Sequence, residues 1–141
     1  MLPLQYSRYW RIASIVILIL VLAATMLPAA WFFGDKASAL SWFVHADKWL
    51  HGATFLVLAL WFAGQYRARS YWRVAVGLMV FGFLIELCQL MVSYRTADWI
   101  DIGANTAGII AGLAVASAGL GGWCLRVEAW HMARSDGSRL D

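Results

Sequence analysis

Charge is scarce in this chain: Asp, Glu, Lys and Arg make up 13% of its 141 residues, against 62% hydrophobic residues. A soluble domain of this size carries about a quarter charged residues and could not bury so much apolar surface, which excludes an ordinary soluble fold. Cysteine is almost absent as well. Cys88 and Cys124 are the only two, and they fall near opposite ends of adjacent apolar runs, about 30 Å apart in depth at the helical rise. A disulfide needs Cα atoms within about 7 Å, so none is expected, and the Cys and His spacing of a zinc site is missing. The net charge of +3 comes from cations scattered between apolar segments rather than gathered in a stripe, which argues against nucleic acid as a partner. No repeat and no low-complexity tract is evident.

What the chain has instead is four apolar runs, Ile12 to Ala30, Trp49 to Gly64, Val74 to Val92 and Ile102 to Leu125. A bilayer core of about 30 Å needs about 20 helical residues, which the first, third and fourth runs supply outright. The second needs its polar flank, Asp47 and Lys48, at the interface. A cleavable signal peptide is the rival reading of the first run, since Arg8 and Arg11 precede it and Pro28-Ala29-Ala30 closes it. The run exceeds a signal core of roughly 7–15 residues, which favours a retained helix. Connections are too short for a soluble domain. The expected fold is all-α: a polytopic bundle of four transmembrane helices at about 12–30, 47–65, 74–93 and 101–125, with 126–141 as a cytoplasmic polar tail that frays. Trp10, Trp31, Trp42, Trp49, Trp72, Trp99 and Trp123 sit near the ends of the runs, as an interfacial aromatic belt requires.

Orientation follows from the cations. Arg8, Arg11, Arg67, Arg69, Arg73, Arg126, Arg134 and Arg139 lie on one side, Lys36, Lys48 and Arg95 on the other. Cytoplasmic segments carry the excess of Lys and Arg, so both termini are expected in the cytoplasm.

On that topology the ionisable residues gather at the outer end. The second helix enters through Asp47 and Lys48, with His51 one turn later on the Asp47 face. The third brings Glu86 and Gln89 on a stripe shared with Gly82. The next connection supplies Arg95 and Asp98, and the fourth helix returns through Asp101, Asn105, Gly108 and Gly112, which also share a face. A carboxylate inside the bilayer costs several kcal/mol unless it is compensated, which singles out Glu86. Plainer readings stand beside each residue. Asp98 or Asp101 can cap the fourth helix, Lys48 can snorkel, His51 and Asn105 can be packing groups, and Gly108 with Gly112 is a close-packing spacing that suits a second copy of the chain. What favours a site is that three separated segments send their polar groups to one side. In that site His51, Glu86, Asp98 and Asp101 form a candidate acid-base set. Lys48, Gln89, Arg95 and Asn105 are candidate ligand-binding groups, with Asp47, Gly108 and Gly112 structural.

The ordered set resembles the VanZ-like family of small integral membrane proteins. It runs D-K-x2-H at Asp47, Lys48 and His51, E-x2-Q at Glu86 and Gln89, then R-x2-D-x2-D-x3-N-x2-G-x3-G from Arg95 through Asp98, Asp101, Asn105 and Gly108 to Gly112. Thr25 and Pro28 match the family's ending of the first helix, and the likeness covers roughly residues 12–120. It implies four helices and a polar site on the outer face, and links the chain to the cell envelope and to glycopeptide (teicoplanin) resistance. It does not deliver a reaction.

Three classes of function remain open. The first is a protein of the cytoplasmic (inner) membrane whose outward site binds or modifies a polar head group, lipid-linked or glycopeptide-like. Its enzymatic version is a hydrolase or transferase, for which no Ser sits in a nucleophile elbow. The second is a transporter or flippase, which needs an oligomer, through the Gly108 and Gly112 face. The third is a structural or assembly subunit. Membrane lipids are the expected partners. No cofactor is expected, and Asp98 with Asp101 alone makes a poor metal signature, so no metal is either.

Overall fold

The computed structural model describes residues 1–26, 36–91 and 99–137, residues 36–47 and 136–137 by their backbone alone. Among the described residues there are five helices and no strand: α1 Ser7–Met26, α2 Lys36–Gln65, α3 Tyr71–Leu90, α4 Trp99–Val115 and α5 Trp123–Gly137. A 3-10 turn, Ala68–Ser70, reverses the chain between α2 and α3, and a five-residue π-turn, Ala116–Leu120, follows α4.

Among the described residues three helical stretches are long and apolar enough to cross a membrane: Ser7–Met26, Ala68–Leu90 and Trp99–Leu120. They present Ile12, Ile15, Ile19, Val76, Val80, Phe83, Leu84 and Ile110 outward, the all-round apolar surface that lipid tolerates and water does not. The described part of α2 is more polar, with Lys48 and His51 near one end and Gln65 at the other. It is also the most enclosed helix. Phe55, Leu58, Ala59 and Ala63 are all but inaccessible, and the main core forms where Val74, Leu78 and Ile85 of α3 and Ile109 of α4 close around Phe55, Leu58 and Ala59. Ile17, Leu18, Val21 and Leu22 of α1 cover that core from the remaining side.

The tightest contact is between α2 and α4. A Cβ on Gly108 would collide with the carbonyl oxygen of Gly52, and one on Gly112 would stand 2.6 Å from the carbonyl oxygen of Leu56 and 2.7 Å from the Ala59 Cβ. Both glycines are buried there. This close-packing face is filled by α2 of the same chain, because only at glycine can two helix backbones approach this far.

The chain also departs from expectation after residue 115. A single run to Leu125 is interrupted where Gly119 adopts φ 137° and Gly122 φ 66°, conformations that favour glycine. The chain turns, and what looked like a fraying polar tail becomes α5 as far as Gly137. The turn is anchored by the Trp123 indole, which donates to the Leu60 carbonyl at 3.0 Å and lies over Gly64, where a Cβ would strike its ring. Trp10, Trp61 and Trp123 pack with ring centroids 5.4 to 5.7 Å apart. Trp10 and Trp123 therefore belong to one half-buried aromatic cluster. Trp49, Trp72, Trp99 and Trp130 are exposed. Trp31 lies outside the described residues, as does the side chain of Trp42.

At this end Glu128 of α5 is buried and gathers the start of the chain. It accepts the Gln5 N–H at 2.8 Å, the Tyr6 N–H at 3.0 Å and the Trp10 indole N–H at 2.8 Å. Those backbone donors precede α1, where helix geometry offers no acceptor. Ser14 continues the network, donating to the Trp10 carbonyl at 2.8 Å and accepting from Gln65 Nε2 at 3.0 Å and Trp61 Nε1 at 2.9 Å.

Candidate functional site

At the opposite end of the bundle four helices meet. α1 arrives there at Met26, α2 passes through Lys48 and His51, α3 ends past Glu86 and Gln89, and α4 begins through Asp101 and Asn105. The antiparallel course of consecutive helices brings residues that are far apart in sequence to one level. From His51 to Gln65, α2 separates this polar level from the Glu128 end by about 21 Å.

On α3 the buried positions Gly82, Ile85, Glu86 and Gln89 recur at helical spacing. On α4 they are Asp101, Asn105, Gly108, Ile109 and Gly112. The faces that hold α3 and α4 against α2 are therefore the faces that carry the polar groups. His51, Glu86, Asp101 and Asn105 are only 5%, 3%, 6% and 3% exposed, values ordinary for a core leucine and unusual for ionisable groups.

Glu86 meets both His51 and Asp101. A ring nitrogen of His51 and one carboxylate oxygen from each acid all lie within 4.8 Å of one another. Nδ1 of His51 is 3.2 Å from Oδ1 of Asn105; with the ring nitrogen donating, that contact leaves the lone pair on Nε2. Lys48 Nζ stands 3.7 Å from Asp101 Oδ1. Gln89 turns to the neighbouring helix instead, donating from Nε2 to the Thr25 carbonyl at 3.2 Å, where α1 runs out of intrahelical donors for its last carbonyls. Gly82 makes room for the cluster: a Cβ there would sit 3.1 Å from Asn105 Nδ2 and 3.1 Å from the Phe55 ring.

Of the residues singled out from the sequence, Lys48, His51, Glu86, Asp101 and Asn105 thus come together, and Gln89 lies at the same end tied to α1. Gly108 and Gly112 hold α4 to α2. Arg95, Asp98 and Pro28 lie outside the described residues, as does the side chain of Asp47.

A cavity of about 220 Å³ opens beside His51 between α1 and α2, walled by Val21, Ala24, Leu50 and Phe55 and edged by Thr25 and Thr54. Its lining is largely apolar, and among the described residues the imidazole is its one ionisable wall. Chemically, the site offers a proton donor and acceptor pair, a cation and an amide, in a setting shielded from water.

Sequence reasoning missed the polar network at the other end, where Glu128, Gln65, Ser14 and Trp61 take part. The available signal was the spacing of Cys124, Glu128 and His131 along Trp123–His131, which places Glu128 on the side of α5 that carries the buried Cys124.

A family model described as VanZ/LLP1 matches residues 5–120. No curated protein and no solved structure matches the chain.

Proposed function

Since the chain belongs to the VanZ-like family of membrane proteins, we propose that it crosses the cell membrane four times, with both termini in the cytoplasm, and uses its outward polar site to bind or modify an anionic or polar head group. The observation that carries this reading is the meeting of His51, Glu86 and Asp101 within 4.8 Å at one end of the bundle. Burying that set is costly unless it has a task or full compensation.

In this reading α2 is the fourth crossing. A helix enclosed by three others faces protein over most of its surface, so it tolerates more polar residues than a lipid-facing span. The excess of Lys and Arg on the side of the termini gives the orientation, and exposed Trp49 and Trp99 at the site end, with Trp72 and Trp130 at the other, are spaced as two interfacial girdles. The lining beside His51 suits the apolar part of a lipid-linked ligand, and the cations Lys48 and Arg95 are the groups proposed to hold its head group. His51 and Glu86 are the groups that would exchange a proton with it, which is the route to chemistry if the ligand is modified. A link to the cell envelope and to glycopeptide resistance is the biological setting this suggests.

The test is complementation of a null strain, reading its phenotype and its membrane lipid profile together. His51→Ala, Glu86→Gln and Arg95→Ala, each shown to reach the membrane at wild-type abundance, are each expected to lose most of the complementing activity. Full rescue by all three would end the proposal.

A further inference from the structure

We propose that His51, Glu86 and Asp101 together hold one first-row divalent cation of the Zn²⁺ or Mn²⁺ type. The inference deepens the head-group reading and rests on it only for the cation's role, which is to present positive charge to an anionic group.

Geometry comes first. The three ligand atoms come from α2, α3 and α4 and lie within 4.8 Å of one another. Ligands on one ion with bonds of about 2.0–2.2 Å stand about 3–3.5 Å apart, so side-chain adjustments of little more than about 1 Å close the set. The backbones beneath are held where Gly108 and Gly112 seat α4 on α2, so closure does not require the helices to move.

The donor types narrow the ion. A neutral imidazole nitrogen with two carboxylate oxygens suits Zn²⁺, Mn²⁺ or Fe²⁺. Ca²⁺ and Mg²⁺ prefer oxygen throughout, and Cu(I) prefers sulfur. Three protein ligands also leave coordination positions for a ligand, the pattern of a working rather than a purely structural centre.

A second, independent feature lies behind the ligands. Metal-bound histidines pass their other ring N–H to an oxygen acceptor, which fixes the ring and its tautomer. With Nε2 as the ligand atom, Asn105 Oδ1, 3.2 Å from His51 Nδ1, takes that position. Nδ2 of the same amide, on a residue 3% exposed, has no hydrogen-bond partner among the described residues, and it faces the gap over Gly82. A buried amide donor of this kind is met when an oxygen ligand shares the centre.

Lys48, 3.7 Å from Asp101, supports the rival arrangement, an ion-paired cluster that carries protons and no metal. The full-length chain, purified in detergent and dialysed against EDTA, separates the two when it is titrated with ZnCl₂ and with MnCl₂. Metal content is read by elemental mass spectrometry, affinity by calorimetry and stability by melting. One ion per chain and a metal-dependent rise in Tm are expected. The near-isosteric Glu86→Gln and Asp101→Asn should weaken binding at least about 100-fold, and Asn105→Ala about 10- to 100-fold. A wild-type protein that takes up no stoichiometric ion and shows no rise in Tm with either salt overturns the proposal, whatever the variants do. So does wild-type affinity in Glu86→Gln and Asp101→Asn. If the wild type binds no ion while His51→Ala and Glu86→Gln still fail to complement, the metal falls and the head-group reading stands. If the ion binds but those variants complement fully, the head-group reading falls and the metal stands.

Discussion

Replacing Gly108 with alanine is expected to lower the Tm of the detergent-purified chain by about 10 °C, whereas the same change at Gly103, five residues nearer the start of α4, should leave it unchanged or raise it by up to about 3 °C. The two substitutions are chemically identical and differ only in what the new methyl meets. At Gly103 nothing lies within 4 Å, and the exchange removes a flexible residue from a helix, worth about 0.5–1 kcal/mol in the stabilising direction. At Gly108 the methyl would run into the Gly52 carbonyl oxygen and come within 3.0 Å of the Leu56 nitrogen. Those are backbone atoms of a helix that is itself packed on α3, and they have no rotamer by which to yield. Overpacking costs about 1–3 kcal/mol where side chains can adjust; with backbone on both sides the cost should reach about 3 kcal/mol, which converts to about 10 °C for a domain of this size. A Gly108→Ala protein that melted with the wild type would show that α4 does not ride on α2 as described.

The same substitution bears on the site. Asn105 lies one turn before Gly108, and Asp101 one turn before that, on the face that meets α2. Pushing α4 outward separates Asn105 Oδ1 from His51 Nδ1, now 3.2 Å apart, and draws Asp101 away from Glu86. The packing glycines and the polar cluster are one construction, because the backbone approach at Gly52 and Gly108 is what lets short side chains from α2 and α4 touch.

How much of this was legible beforehand depends on whether a residue's surroundings are local. The apolar runs behind α1, α3 and α4 stand out because a lipid-facing helix is apolar on every side, and that needs no knowledge of partners. Glu86 and His51 stand out for the complementary reason, that a polar group amid apolar residues must be compensated. The identity of the partner is not local. The spacing of Gly108 and Gly112 announces a close helix contact yet says nothing of whose helix, and α2 of the same chain is what meets it. The break at Gly119 is hidden because Gly119-Leu120-Gly121-Gly122 continues an apolar run, and only positive φ values at Gly119 and Gly122 turn the chain. For Glu128 the spacing from Cys124 hints at burial, but the partners are not local: Gln5 lies 123 positions away.

Glu128→Gln is expected to destabilise the protein by about 2 kcal/mol at pH 7, and the gap to wild type should close as the solution is acidified. Burial pushes the Glu128 carboxyl up, but the Tyr6 and Gln5 backbone N–H groups and the Trp10 indole outweigh it together, so its pKa lies below the ordinary carboxylate value. A pKa lowered by folding stabilises the folded chain above the unfolded value of about 4.3, and that contribution disappears as pH falls through the folded value. Glutamine is the size of glutamate but has a single acceptor oxygen. Both carboxylate oxygens are in use, one by Gln5 and the other by Tyr6 and Trp10, so the amide nitrogen must confront at least one donor. A hydrogen bond to a charged acceptor contributes about 1.5–3 kcal/mol, and a donor stranded by the change adds its own penalty. Melting curves of both proteins from pH 8 to pH 3 give the test, with a constant difference down to about pH 5 and a narrowing one below it, where the protonated acid comes to resemble the amide. A difference that held its full size at pH 3 would mean that Glu128 acts through its shape, and that the buried negative charge is not what fastens the start of α1 to α5.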